Sequence, residues 1–392
     1  MKRFKYFILG FSAAAILFTN FNVNAAEVIK NIQVIFRDMP IYVEGTRAEL
    51  PQKPMIYNGT TYLPMRTVAQ ILGKNVAYDE NTGSTYIYSD GNEPVINNND
   101  KKEVPQVNNA EFVLYNIAIG DSKEHVINQL GEPDRQDVSE YGFTWFIYNK
   151  DYKNYIQVGI KDGKVVGLYT NSTNWQSKKG IKFGSTSADV KKAYGEPLSY
   201  IQKGNTRYLL SADKKEANTF SIDHSYVTIF YDIHRNQTVT SVLIIEKNTE
   251  HSLNGFYGKP SNELVKAYEM QVFDLANSVR VRNGLKPFVW DDKAAKSSLL
   301  HSIDMVTGNF FSHTNLKGQS PFDRMKNQGI MYSRAGENIA AGQSNAIYAH
   351  EGWMNSEGHR KNILGDFKRL GVGVSFGGEY HVYYTQNFYT PR

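Results

Sequence analysis

The chain has 392 residues, of which 41% are hydrophobic and 21% are charged, and this balance excludes a fully disordered or fibrous protein. It contains no cysteine, so disulfides, thiolate metal sites and a cysteine nucleophile are excluded as well. Removing the first 25 residues, which carry three basic side chains and no acid, lowers the net charge from +5 to +2. A charge this small gives no indication of nucleic-acid binding.

The N-terminus has the three parts of a secretory signal peptide. Basic residues at the start are followed by an apolar run at 7–18, which is too short for an ordinary membrane span. The small side chains of Val23 and Ala25 predict cleavage after Ala25, or after Ala26, and 1–25 is interpreted as the signal peptide. The alternative is an uncleaved N-terminal anchor. No later stretch has 18 apolar residues, so we expect a secreted, extracellular protein without a stable membrane span after cleavage.

Residues 27–90 are predicted to form a small β-rich N-terminal domain. Its short strand patterns lie at residues 32–43, 54–63, 76–78 and 85–88. A short helix is predicted from Pro64, with Gly73 ending it. The segments GTTYLPMR at 59–66, LG at 72–73 and YD at 78–79 resemble the copper amine oxidase N-terminal-like domain, which implies a stalk or wall-proximal module. The domain has no histidine or cysteine, so no copper is expected.

Residues 91–110 are rich in Asn, Asp, Lys and Glu and predict a linker. An internal repeat then spans residues 111–248. IAIGDSKEHV leads to GEP in the first copy and IKFGSTSADV leads to GEP in the second, with equivalent positions 64 residues apart. Ser122 and Thr186 are suited to cap the helix of their copy, and alternating strands follow. We therefore predict two tandem αββ-type units that pack into one middle domain.

Residues 260–392 hold five of the nine histidines and combine helical and strand patterns. Apolar residues from Leu264 to Val279 recur at helical spacing, and Asp291 or Asp292 can cap a second helix that runs to about Thr307. A further helix is predicted at residues 346–355, and strands at 370–376 and 381–388. Helices packed around a small antiparallel sheet are the expected outcome.

Several short motifs occur in order along this last region. They are ANSVR at 276–280, NGL at 283–285, HSIDM at 301–305, FSH at 311–313, GENI at 336–339, WMNS at 353–356 and GHR at 358–360. In this order they resemble the CAP superfamily, which includes cysteine-rich secretory proteins, antigen 5 and pathogenesis-related 1 proteins and is also called the SCP domain. The resemblance implies a C-terminal α-β-α sandwich with a central open cavity. The preceding repeat likewise resembles the CAP-associated region of some secreted bacterial proteins, which makes the whole chain an α+β multidomain protein.

The resemblance also implies which residues line the cavity. The family has two histidines and two acids there, and by motif these correspond to His313, His359 and Glu337, while Ser356 stands where the second acid would be. His313 and His359 are the expected ligands if the cavity binds a metal, with Zn²⁺ as the candidate. Glu337 is the candidate catalytic residue, because a carboxylate can polarise water. In the alternative interpretation, His313 caps a turn beside Ser312 and His359 holds its own loop.

Two other histidines receive structural interpretations. His301 lies on a predicted helix face and is expected to be buried and hydrogen-bonded. His350 and Glu351 begin like a zinc-protease helix, but Met354 occupies the position of the second histidine, so that motif is absent.

Three functions remain open from the sequence. The first is a non-enzymatic secreted protein that binds a small ligand, lipid, cell-wall component or divalent cation in the C-terminal cavity near the cell envelope. The second is a metal-dependent hydrolase acting on peptides or cell-wall polymers. The third is a structural or adhesive exoprotein. The sequence does not decide whether the chain is an enzyme, since a fold does not fix a function.

Overall fold

The computed structural model describes residues 35–43, 45–48, 50, 53–57, 59–79, 84–90, 110–210 and 215–392. Met1–Val104 and Pro105–Arg392 are two compact units. The predicted signal peptide 1–25 and linker residues 91–109 lie outside the described residues. Within the described ranges, no helix combines the length and the apolar character needed to cross a membrane.

The first unit contains short strands and one helix. They are β1 (Ile35–Phe36), β2 (Tyr42–Val43), β3 (Thr46–Arg47), β4 (Met55–Tyr57), β5 (Thr60–Tyr62), α1 (Met65–Ile71), β6 (Asn75–Asp79) and β7 (Ser84–Tyr88). The order β1-β4-β5 forms one sheet, and β2–β3 and β6–β7 are hairpins. The helix begins after Pro64 and is followed by Gly73 at φ +61°, as predicted from the sequence. The predicted strand at 32–43 contains the two short strands β1 and β2, and the predicted strand at 54–63 contains β4 and β5.

The second unit begins with the repeat region. Its elements are α2 (Lys123–Leu130), β8 (Arg135–Val138), β9 (Thr144–Tyr148), β10 (Ile156–Lys161), β11 (Lys164–Thr170), α3 (Ser187–Tyr194), β12 (Tyr200–Lys203), β13 (Thr206–Leu209), β14 (Ala217–Ile222), β15 (Ser225–Asp232), a 3₁₀ turn (Ile233–Arg235), β16 (Thr238–Glu246) and α4 (Lys247–Ser252). Each repeat therefore has a helix followed by more strands than the predicted pair. Helix α4 extends past residue 248, the predicted end of the middle domain.

The two repeats join edge to edge in one antiparallel sheet of seven strands. Its order is β14-β15-β16-β11-β10-β9-β8, with β11 beside β16 at the centre. Each repeat makes the same main-chain contact: Gly120 N–H donates to Val165 O at 2.8 Å in the first repeat, and Gly184 N–H donates to Val239 O at 2.9 Å in the second. This agreement shows that β11 and β16 are equivalent strands of the two repeats.

The C-terminal region follows directly in the same unit. Its elements are α5 (Asn262–Arg282), β17 (Val289–Trp290), α6 (Asp292–Gly308), α7 (Pro321–Asn327), β18 (Tyr332–Ala341), α8 (Ala346–Asn355), α9 (Glu357–Ile363), β19 (Arg369–Phe376) and β20 (Val382–Pro391). The strands form a sheet in the order β17-β19-β20-β18, antiparallel except for the β17–β19 pair. Helices α5 and α8 lie on one side of it and α6 lies on the other, which confirms the predicted α-β-α sandwich.

Two glycines let α6 lie very close to this sheet. A Cβ at Gly371 or Gly373 would overlap the backbone of α6. Ser298 and Ser302 use this closeness, because their hydroxyls donate to the carbonyls of Gly371 and Gly373 at 3.0 and 2.9 Å. The close approach fixes the position of α6 and therefore of the loop that follows it.

Helix α5 is buried between the two sheets. Its apolar residues pack in a core that includes residues of the seven-stranded sheet, such as Tyr169 and Leu243, and of the C-terminal sheet, such as Val372. The opposite face of the seven-stranded sheet packs in a separate apolar core with Val126 of α2 and Val190 of α3. The repeat region and the C-terminal region thus share one core and form a single packed unit.

Candidate functional site

A tightly bonded loop between α6 and α7 carries His313. The loop begins at Asn309, whose φ of +50° ends α6 in the left-handed conformation. Asn315 Oδ1 accepts hydrogen bonds from the main-chain N–H groups of Lys317 and Gln319 at 3.1 and 2.9 Å. Arg324 donates from Nη1 to the carbonyl of His313 at 2.8 Å. These bonds hold His313 in one place on an otherwise exposed loop.

Glu337 on β18 fixes the orientation of the His313 ring. Its carboxylate is 1% exposed, and its Oε1 lies 2.9 Å from His313 Nδ1. Because a carboxylate accepts, Nδ1 carries a proton, so in the neutral form of the ring the lone pair is on Nε2. The other oxygen accepts from Arg324 Nη2 at 2.7 Å. Asn387, with its amide nitrogen turned toward Glu337, donates to that same Oε2 at 3.0 Å.

The side chain of His359 interacts electrostatically with that of His313. His359 is on α9 and partly buried, and burial lowers its pKa, with repulsion from the protonated form of His313 as the smaller cause. His359 is therefore neutral at pH 7. Asn338, which follows Glu337 on β18, donates from Nδ2 to the carbonyl of His359 at 3.2 Å and ties α9 to the sheet. The side chain of His313 is 49% exposed, so solvent reaches this pair.

Ser356, the fourth predicted cavity residue, begins α9 three positions before His359. Its main chain joins α8 to α9: the N–H of Ser356 donates to Trp353 O at 3.2 Å, and its carbonyl accepts from Arg360 N at 2.8 Å. In the part of the chain that the structure describes, no hydrogen bond joins its side chain to His313, Glu337 or His359. We call the group of His313, Glu337 and His359 the imidazole site.

The two other histidines lie inside the fold. His301 is fully buried on α6, its Nε2 is 3.0 Å from Ser312 O, and burial lowers its pKa. His301 is thus buried and hydrogen-bonded, as predicted. His350 is also fully buried, and burial lowers its pKa to about 3. Its neighbour Glu351 accepts from Tyr169 and Ser241 of the seven-stranded sheet, so this helix segment serves packing between the two regions.

The imidazole site offers two nitrogen ligands to a metal. Zinc sites that hold their ion permanently use three or four protein ligands. Among the described residues, no three or more His, Cys, Asp or Glu side chains lie together as a metal would need. Glu337 is already bonded to Arg324 and His313. The residues therefore do not fit a permanently bound zinc ion, although an oriented pair of imidazoles fits an exchangeable cation completed by other ligands.

Sequence reasoning missed the partners that hold this site. Arg324 both pairs with Glu337 and anchors the His313 loop, yet in the sequence it is one of two basic residues on a short helix. Asn387 is the register partner of Glu337 in the β18–β20 pair. The one sequence signal for Asn387 is the alternation of side chains along β20, which pairs with the strand that carries the GENI motif.

Comparison with known families matches three segments of the chain. The profile of the Cysteine-rich secretory protein family (CAP) matches residues 273–388. The CAP-associated N-terminal profile matches residues 119–256. The Copper amine oxidase N-terminal domain profile matches residues 23–124.

Two relatives come from Bacillus subtilis (strain 168). "Uncharacterized membrane protein YlbC" is 30% identical over 319 residues, which are 76% of this chain and 90% of that protein. "Uncharacterized protein YkwD" is 44% identical over 141 residues, 36% of this chain and about half (53%) of that protein.

Solved structures share the architecture of the second unit. An extracellular protein containing a SCP domain from Bacillus anthracis str. Ames is 30% identical, with a TM-score of 0.61 over 69% of this chain and 93% of that one. A cysteine-rich secretory protein from Staphylococcus aureus subsp. aureus Mu50 is 19% identical and shares the fold, with a TM-score of 0.57 over 69% and 91% of the two chains. The chain therefore belongs to the CAP family of cysteine-rich secretory proteins, in the form that carries a CAP-associated region before the CAP domain.

Proposed function

We propose that the imidazole site reversibly binds a divalent cation together with a small ligand, and that it does so without catalysis. The observation that carries the proposal is the 2.9 Å contact between His313 Nδ1 and Glu337, which assigns the lone pair of the neutral ring to Nε2 on a half-exposed side chain. His359 supplies a second neutral imidazole close by. A carboxylate bonded to the far nitrogen of a histidine is the usual outer partner of a metal-binding imidazole.

The surroundings of Glu337 favour binding over hydrolysis. A carboxylate that activates water must reach that water within hydrogen-bond distance. Glu337 is 1% exposed, and its oxygens are engaged by His313 and Arg324. Its role in the proposal is therefore to position His313. Ser356, in place of a second acid, supplies no carboxylate of its own.

We further propose that the protein works outside the cell membrane, near the envelope. The basic and apolar N-terminal pattern supports export. The related structure from Bacillus anthracis is named as an extracellular protein. YlbC is named as a membrane protein, which is compatible with a place at the membrane's outer surface.

Calorimetric titration of the chain from Ala26 to Arg392 with ZnCl₂ tests the proposal. The wild type should bind zinc, and the His313→Ala/His359→Ala variant should bind at least about tenfold more weakly, because both nitrogen ligands are removed. A double variant of two histidines outside the site, His125→Ala/His224→Ala, is the matched control and should bind like wild type. Equal affinity in all three proteins would contradict the proposal.

Glu337→Gln separates positioning from catalysis. As an outer partner of the imidazole, Glu337 should contribute about 10- to 100-fold in cation affinity, so the variant should lose binding by that factor. The same proteins are assayed for release of soluble fragments from peptides and cell-wall polymers. Cleavage by wild type that Glu337→Gln abolishes while zinc affinity is retained would instead establish the hydrolase.

A further inference from the structure

An open groove lies where the chain leaves helix α5 and turns toward β17. It has a volume of about 780 Å³, which is within the range of small-molecule sites. Its lining residues come from two segments, 284–289 after α5 and 364–369 between α9 and β19, together with Arg280 and Pro391. We call it the arginine groove. None of its lining residues belongs to the imidazole site.

Arg280 holds the two segments of the groove together. Its Nε donates to Lys286 O at 2.8 Å, and its Nη1 donates to Ile363 O and Gly365 O at 2.9 and 2.7 Å. The guanidinium lies over the ring of Phe288, with Cζ 3.9 Å from the ring centroid. These contacts fix the position of the guanidinium, so its charge is preorganised in the groove.

The charge of Arg280 has no acidic partner. The residue is 4% exposed, and its hydrogen bonds all go to main-chain carbonyls. In the described part of the chain, no carboxylate lies within ion-pair distance of Arg280, and its Nη2 makes no hydrogen bond. Burial lowers the pKa of Arg280, and the charge of Asp366 opposes this as the smaller cause. A buried cation without a paired anion costs free energy, which a bound anion would offset.

The other charged side chains of the groove are mostly basic. Lys286, Lys368 and Arg369 line it, and none of them forms an ion pair with another described residue. Asp366 is the one acid among the described residues that line the groove. Its carboxylate is 85% exposed and lies 3.5 Å from Arg334 Nη1, so it already has a cation of its own. Together with the buried guanidinium, the lining therefore holds four cations and one acid.

This arrangement favours a ligand with several phosphate groups. A guanidinium presents its N–H groups in a planar fork that matches the oxygens of a phosphate or a carboxylate. The lining has a net charge of +3, from four cations and one acid. A single carboxylate would balance only one of these charges, whereas two linked phosphates would balance most of them.

We propose that the arginine groove binds a ligand with two or more linked phosphate groups. One phosphate accepts from Arg280 Nη2, and the next lies near the exposed ammonium groups of Lys286 and Lys368. The proposal is independent of the cation site, since it rests on different residues and needs no metal. A free oligophosphate and a phosphodiester chain share this chemistry, and the experiment separates them.

Calorimetric titration of the chain from Ala26 to Arg392 compares inorganic phosphate, tripolyphosphate and tricarballylate, a tricarboxylate. EDTA is present throughout, so that no metal ion bridges a probe to the imidazole site. Tripolyphosphate should bind at least about tenfold more tightly than either of the other probes, because it alone brings several phosphates to the cations. Absence of tripolyphosphate binding, or equal affinity for inorganic phosphate, would overturn the proposal.

A glycerol phosphate trimer separates the two sources of the same chemistry. Its phosphates are joined through glycerol as phosphodiesters, so each carries a single charge. Affinity equal to that for tripolyphosphate or higher would identify a phosphodiester chain as the ligand. Weaker binding would identify a free oligophosphate.

Lys286→Ala/Lys368→Ala tests whether tripolyphosphate binds in the groove. Both side chains are exposed, so the fold should be kept, and the affinity should fall by about tenfold as two cations are removed. Lys293→Ala/Lys296→Ala removes the same charge from exposed positions on α6 outside the groove and is the matched control. An equal loss in both double variants would reveal attraction by net charge alone and would overturn the site.

Arg280→Lys keeps the charge but removes the fork of N–H groups. It should lose about tenfold or more in tripolyphosphate affinity. Arg282→Lys is the matched control, because Arg282 also lies on α5 and donates to main-chain carbonyls, outside the groove. Thermal unfolding establishes that each variant is folded. Unchanged affinity in folded Arg280→Lys would overturn the role of Arg280, and the lysine pair decides the site if this variant does not fold.

Discussion

The two faces of the seven-stranded sheet are held in different ways. Toward α2 and α3 the contact is apolar, with Val126 and Val190 packed among aliphatic and aromatic strand residues. Toward α5 and α8 the apolar contacts are interrupted by buried ion pairs, such as Arg135 with Asp274 at 2.6 Å. Helices α2 and α3 thus pack on the sheet mainly through apolar burial, whereas the join to the CAP domain adds polar contacts that specify one orientation of α5.

A polar stripe on α5 provides most of these contacts. Its members recur at helical spacing and all reach the large sheet or its loops. Gln271 donates to Asp137, Asp274 accepts from Arg135, Asn149 and Tyr152, Ser278 donates to Asn171, and Arg282 donates to the carbonyls of Asn171 and Thr240. Because each bond has a direction, a shift of α5 along the sheet would leave several buried groups without partners.

Breaking the polar join should give the largest effect. Asp274→Ala removes one of the two carboxylates that pair with Arg135 and leaves Asn149 and Tyr152 without their acceptor. We expect a loss of about 3 to 5 kcal/mol in the free energy of unfolding, measured in urea. Asp274→Leu, which restores volume but no charge, should lose nearly as much. In a double-mutant cycle, Arg135→Ala/Asp274→Ala should lose clearly less than the two single changes added together. Additive losses would show that the pair is not coupled.

The apolar face should respond to volume instead. Leu168 is fully buried in the core shared with α2 and α3, so Leu168→Ala should cost about 2 to 5 kcal/mol through the cavity it leaves. Leu168→Met, which keeps the volume, should cost less than about 1.5 kcal/mol. Restoring the volume should therefore restore most of the stability at Leu168, whereas it should not do so in Asp274→Leu. If Leu168→Met is as damaging as Leu168→Ala, the two faces do not differ as described.

The sequence predicted the parts of the fold that depend on local patterns. Ser122 and Thr186 cap α2 and α3, and the C-terminal sandwich follows from motifs in order. The polar stripe on α5 could not be predicted as buried, because a polar stripe opposite an apolar one is typical of a solvent-exposed helix face. Only the seven-stranded sheet, which forms from distant strands, makes that face an interior one.

The candidate site also combines residues that the sequence predicted with residues that it did not. His313 and Glu337 were expected from the family motifs to line one cavity, and the structure brings these two side chains into contact. Arg324 and Asn387 were not expected, because their places depend on how α7 and β20 pack against β18. Residues that hold a site are often far from it in sequence and carry no motif of their own.

Glu140 makes the polar join depend on pH. Burial raises the pKa of Glu140 to about 7, with Asn345 bonded to it and Glu250 adding repulsion. Because the folded protein holds the proton of Glu140 more tightly than the unfolded chain does, the free energy of unfolding falls as the pH rises from about 4.5 to about 7. Glu140→Gln stays neutral and should be ~3 kcal/mol more stable than wild type at pH 8, with the difference vanishing near pH 4.5. A difference that does not change with pH would contradict this.

The smallest expected effect compares the two repeats on the apolar face. Thr186 accepts from Asp189 N at 3.2 Å, and the Asp189 carboxylate accepts in return from Thr186 N at 2.9 Å, whereas Ser122 accepts from His125 N without an acid at that position. Thr186→Ala should therefore cost about 1 to 2 kcal/mol and Ser122→Ala about 0.5 to 1 kcal/mol in urea unfolding.

The pKa of Asp189 provides a second measurement of the same cap. The hydrogen bonds from Thr186 hold this pKa below its ordinary value, so Thr186→Ala should raise it, as followed by NMR titration. Because the pKa of Asp189 is lower in the folded protein, its carboxylate stabilises the fold at pH values above its ordinary pKa. This stabilisation is lost as the pH falls through the pKa of the folded state. The cost of Thr186→Ala should accordingly shrink in acid, while that of Ser122→Ala, where no carboxylate completes the cap, should stay constant. Equal acid dependence in both variants would mean that the two repeats begin their helices by the same means.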